Sequence, residues 1–231
     1  MERLIWTGLD ESQFRRYKSW INKTSPGICG TYCAAVLTHY TVLQDTGHWM
    51  SKQQLLNAFE TVVDDYHLHE GTFFWNVAAG LNSVFNFNHY RAKTGLIPDK
   101  EVPDLIDRYQ QPVIVGTLAA LGSPYKNHWL LVYAYAYDNE NQLFFKAYDN
   151  HGNYKAVIPA KHTNAYVYLE AIAPSEATAR HSNAAETDDN IAIKPNLARR
   201  RFLEKQAKEE AEHQQKLIFG KEWDEWKDMI I

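Results

Sequence analysis

Only two of the 231 residues are cysteine, and Cys29 and Cys33 stand four apart. Two thiols at that spacing on one helix are poorly placed for a disulfide, which excludes a disulfide-stapled fold and predicts a reducing, cytoplasmic setting. Long apolar runs are also missing. No stretch approaches the roughly 18–20 residues that cross a bilayer as a helix, and Met1 to Gly8 lack the apolar core of a secretory signal. Nor is there an excess of positive charge: 24 Lys+Arg against 28 Asp+Glu leave a net charge of -4. That balance gives no electrostatic footing for nucleic acid. Internal repeats are absent as well.

What is present is apolar and aromatic. Hydrophobic residues make up 45% of the chain and aromatic residues 13%, enough for the core of one domain plus an appendage. The composition changes at Pro174. Residues 174–195 are rich in Ala, Ser, Glu, Asp and Asn without apolar periodicity and read as a flexible linker after a domain over 1–173. Residues 196–231 hold eight Lys+Arg and eight Asp+Glu, the pattern of a solvated helix. Trp223, Trp226 and Ile230 close that tail with an apolar face, which predicts docking on the domain, self-association or a protein partner.

Within the domain the chain changes character midway. Helices are expected from Cys29 to about Gln44, after a Ser51 cap to Asp64, and after a Thr72 cap from Phe73 to about Phe87, with a short one over Val102 to Tyr109. A short strand is expected over His89 to Thr94, then strands near 112–118, 128–137, 142–149, 153–158 and 165–172. Helices first and a mostly antiparallel sheet second is an α+β order.

Gly27-Ile28-Cys29-Gly30 opens the first of these helices. A thiol there meets unpaired backbone N–H groups and partial positive charge, which favour the thiolate and can receive an oxyanion. Gly30 is expected to leave the sulfur accessible. Cys33, one turn on within an apolar run, reads as core. A cysteine nucleophile needs a histidine, and His128 opens the run His128-Trp129-Leu130-Leu131-Val132. If Asp138-Asn139 form a two-residue turn, His128 faces Asp149 across a hairpin and the carboxylate orients the imidazole. A four-residue loop instead leaves Asp149 diagonal, with His151 opposite. The face carrying Leu130 and Val132 is expected to be core, and that carrying Trp129, Leu131 and Tyr133 partly exposed.

Two other groupings carry less. Asp64, Asp65, His67, His69 and Glu70 match no recognised metal spacing, and Cys29, Cys33 and His39 lack the paired motifs of a zinc site. Neither a metal nor a cofactor is expected.

Cys29-Gly30-Thr31-Tyr32-Cys33, then Pro112 to Thr117, Asn127 to Val132, and Asp149 with Gly152, together resemble the papain-like cysteine peptidases. The branch most similar is the bacteriocin-processing (double-glycine leader) peptidase family and its stand-alone relatives, over roughly residues 20–172. The resemblance implies a papain-like fold, a peptide or protein substrate, and a triad of Cys29, His128 and Asp149. It also implies an oxyanion donor near Asn22, although the family's glutamine falls at the position of Lys23 here. Asn150 likewise stands where the family carries proline. The same triad supports an amidase or acyltransferase, and a catalytically silent peptide-binding module is the rival from another class.

Overall fold

The computed structural model describes residues 4–24, 27–64, 72–85 and 90–172. The expected linker and tail, Trp223, Trp226 and Ile230 included, lie outside the described residues. So do Asp65, His67, His69 and Glu70.

The chain opens with a two-residue strand, β1 (Thr7–Gly8), and a 3-10 helix (Glu11–Ser19). Three helices follow, α1 (Cys29–Thr46), α2 (Lys52–Val63) and α3 (Phe74–Phe85), then β2 (Tyr90–Gly95) and α4 (Pro98–Tyr109). The remainder is sheet: β3 (Val113–Thr117), β4 (His128–Tyr137), β5 (Leu143–Tyr148), β6 (Ala156–Pro159) and β7 (Thr163–Ala171). The strand order is β2-β7-β3-β4-β5-β6, with β1 added on β4, and every pairing is antiparallel. The fold is therefore α+β, with the helices of the first half packed on an antiparallel sheet. Among the described residues no helix is long and apolar enough to cross a membrane.

α1 is the central helix. It is buried on all sides from Gly30 to Thr41, as expected of a helix without a polar face. Gly47 ends it at φ 70°, with its N–H on the Leu43 carbonyl, the left-handed stop that glycine adopts without strain. α4 begins at Pro98, ahead of the expected Val102, because proline is preorganised for the first helical turn. The 3-10 helix is held by the Asp10 carboxylate on the Ser12 N–H at 2.9 Å and by burial of Phe14 and Tyr17.

Helices cover both faces of the sheet. On one, Leu131, Tyr133 and Tyr148 pack with Cys33, Val36 and Leu37 of α1 in a single core cluster. On the other, Leu130, Val132 and Phe145 pack with Val102, Leu105 and Ile106 of α4. Trp129, Leu131 and Tyr133 are consequently buried, not partly exposed as their mixed character suggested.

The β4–β5 hairpin also departs from the expected register. Its loop runs from Asp138 to Gln142, organised by the Asp138 carboxylate on the N–H groups of Glu140 (3.0 Å) and Gln142 (2.8 Å). Tyr137 pairs with Leu143, and the register slips between Val132 and Ala134. At the bulged residue the Tyr133 carbonyl accepts from Leu9 N–H at 2.9 Å, the main-chain bond that docks the β1 segment on β4. Gly8 permits this approach, because a Cβ there would lie 2.6 Å from the Tyr133 oxygen. Past the bulge, Val132 pairs with Ala147 and Leu131 with Tyr148. Continued to the strand end, that register sets His151, and not Asp149, level with His128.

Candidate active site

Cys29 is the first residue of α1 and is only part-buried. Gly30 behind it is required by packing. A Cβ at that position would lie 2.5 Å from Thr72 Cγ2 and 2.9 Å from Val63 Cγ1, so the glycine admits the neighbouring segments rather than opening a path to the sulfur.

No side chain caps α1 locally, since Ile28 precedes it. Asp64 does so from the end of α2: its Oδ2 accepts the Thr31 N–H at 2.8 Å, while Oδ1 accepts the Thr72 hydroxyl. The Thr72 carbonyl in turn accepts the Trp129 indole N–H at 2.9 Å, linking this corner to β4. A carboxylate therefore already occupies the anion-favouring end of the helix. Burial, and secondly the Asp64 charge, push the Cys29 thiol up to about 12, against the pull of the N–H groups of Trp129, Gly30 and Cys29 itself. The resting sulfur is a thiol, whereas the sequence predicted a thiolate. Asp64 was invisible as a cap because its bond to Thr31 spans 33 residues.

Cys33 is fully buried, its thiol donating to the Trp129 carbonyl at 3.3 Å. Its pKa is raised, first by burial. This is the core position expected of it.

His128 opens β4, also buried, and its Nε2 lies 2.9 Å from the main-chain carbonyl of Asp149. A carbonyl only accepts, so Nε2 carries the hydrogen and Nδ1 is the acceptor of the neutral ring. Burial lowers the His128 pKa to about 4; the Asp149 carbonyl and carboxylate oppose that shift and His151 adds to it. His151 lies against His128 with ring centroids 4.4 Å apart and planes tilted by 35°, and Tyr125 lies nearly parallel to His128 at 5.6 Å.

The structure thus brings Asp149 to His128 through its main chain. The carboxylate is engaged elsewhere: Oδ1 accepts the N–H groups of His151 and Asn153, both at 2.9 Å, and Oδ2 accepts the Tyr125 hydroxyl at 3.1 Å. Those bonds, with Gly152 at φ 104°, build the turn after β5.

Asn22 lies on a segment docked to this turn, its N–H on the Asn150 carbonyl at 2.8 Å. Its Oδ1 is taken by the Thr24 hydroxyl at 2.7 Å, which leaves Nδ2 as the donor beside Gly27. No cluster of three or more metal-ligating side chains occurs among the described residues. Chemically the corner holds a protonated thiol, a buried neutral imidazole with a defined acceptor nitrogen, and backbone N–H groups around the sulfur. No family model matches this chain, and no curated protein matches it.

Proposed function

We propose that this chain is a papain-like cysteine peptidase, similar to the bacteriocin-processing peptidases, acting through Cys29, His128 and Asp149. The observation that carries the reading is the convergence of the first turn of α1 with the start of β4. The Trp129 N–H acts on the Cys29 sulfur, and the preceding residue is a histidine fixed through Nε2, with Nδ1 as its acceptor.

With a thiol and a neutral imidazole at rest, attack and proton transfer proceed together. As the Cys29 sulfur bonds to the scissile carbonyl carbon, its proton passes to His128 Nδ1 and the carbonyl oxygen becomes an oxyanion. The Cys29 N–H receives that charge, with the Asn22 amide as the second candidate donor. Collapse breaks the C–N bond, and His128 returns the proton to the departing amine. Water then attacks the thioester, giving its proton to His128 and releasing the acid and the thiol. An amine in place of water in that last step makes the same site an acyltransferase, and a side-chain or small amide as substrate makes it an amidase.

The unactivated thiol, its pKa pushed up to about 12, favours a second reading, a silent peptide-binding module. A peptide-library cleavage screen separates the two. Cleavage by the wild-type chain that is lost in a folded Cys29→Ala variant supports the peptidase; binding without turnover, or equal turnover by the variant, refutes it.

A further inference from the structure

We propose that Asn150, a residue of the turn after β5, is the positioning residue that holds His128 in its Nε2–H tautomer, an assignment that rests on the peptidase reading for its catalytic meaning. The Asp149 carbonyl belongs to the planar peptide unit that ends at the Asn150 Cα, so whatever pins Asn150 fixes the direction of that oxygen. Asn150 is fully buried, and its Nδ2 donates to the Trp129 carbonyl at 2.9 Å and lies 3.7 Å from Cys33 Sγ. Its own carbonyl accepts the Asn22 N–H at 2.8 Å.

One residue therefore ties these segments together, through its side chain to Trp129 and Cys33 and through its main chain to Asn22. Trp129 is joined covalently to His128, Cys33 lies one turn beyond Cys29 on α1, and Asn22 is the candidate oxyanion donor. The backbone at Asn150 is left-handed, φ 48°, a conformation asparagine adopts more readily than other residues with a Cβ. Its Oδ1 is buried without a partner. That is a cost to stability, so it is the Nδ2 donor and the backbone shape that this residue supplies. At the opposite end of the same peptide, the Asp149 carboxylate holds the turn through His151 and Asn153. With both ends fixed, the carbonyl presents a stationary acceptor to His128 Nε2, and Nδ1 is left to take the thiol proton.

The test reads the His128 ring nitrogens by ¹H–¹⁵N correlation near pH 7, without substrate, alongside steady-state kinetics. In the wild-type chain a single Nε2–H tautomer is expected; an Nδ1–H ring overturns the proposal. Asn150→Gly keeps the left-handed backbone accessible and deletes the amide. It should yield a tautomer mixture, and a loss of kcat approaching 10²-fold, the scale of a 1 Å misplacement, with KM nearly unchanged. Asn150→Asp, nearly isosteric but unable to donate, is the second variant and should show the same mixture. Cys33→Ala removes the sulfur contact and the thiol bond to the Trp129 carbonyl but keeps the Asn150 donor, and should retain the single tautomer. If either folded Asn150 variant keeps the single tautomer and merely melts lower, the residue is structural and the proposal fails. Should the wild-type chain cleave no peptide, the peptidase reading fails while the tautomer still decides the role of Asn150.

Discussion

Acidification should destabilise this protein through His128 by an amount that can be isolated. Burial lowers the pKa of that imidazole from 6.5 to about 4 in the folded chain. Between those values the unfolded chain binds a proton that the folded chain does not. Stability is therefore complete above pH 6.5, falls as the pH drops, and levels off below about 4. At about 1.4 kcal/mol per pKa unit, the loss is on the order of 3 kcal/mol, a large fraction of typical domain stability. His39 is also lowered to about 4, first by burial and then by Arg16, and Asp10 and Glu11 are lowered too, so the wild-type curve alone does not isolate His128. Comparison with His128→Gln, which keeps a donor and removes the titration, cancels those groups. Urea unfolding at pH 7.0 and pH 4.5 should show the wild-type chain losing about 2–3 kcal/mol more than the variant over that interval. Equal losses would refute the claim that folding buries a neutral His128. On the proposed peptidase reading, with His128 as the base, the acid limb of kcat/KM should rise through about pH 4 rather than near 6.5.

Three further outcomes follow from the geometry. Asp149→Asn retains both the main-chain carbonyl and an acceptor for the turn N–H groups, so its kcat should fall far less than the roughly 10⁴-fold lost when an orienting carboxylate is replaced by an amide; a loss of that size would return the orienting role to the carboxylate. Gly30→Ala forces a methyl against Thr72 and Val63 and should cost about 1–3 kcal/mol by thermal or urea unfolding, with part recovered in a Val63→Ala background. Cys33→Ala should cost about 1–2 kcal/mol, through its thiol bond to Trp129 and a small cavity, while peptide turnover persists; abolished turnover in a stable variant would reverse the roles of the two cysteines.

The sequence by itself determined what local chemistry controls. The apolar run after Gly30, Pro112 before Val113, and the aromatic and β-branched runs around Asp138 to Gln142 specified the helix-then-sheet order, most element boundaries and the core location of Cys33, because periodicity and turn residues act over a few positions. It also singled out Cys29, His128 and Asp149 by type and order. Tertiary structure decided what surrounds each of them. The hairpin register turned on the Asp138 to Gln142 loop and the bulge between Val132 and Ala134, which together bring His151 level with His128. The state of the Cys29 thiol turned on Asp64, and the carbonyl contact to His128 turned on a turn pinned by Asn150. Burial and long-range hydrogen bonds set the last two outcomes, and neither leaves a periodic signature in the chain, since their partners are neighbours in space and not in sequence.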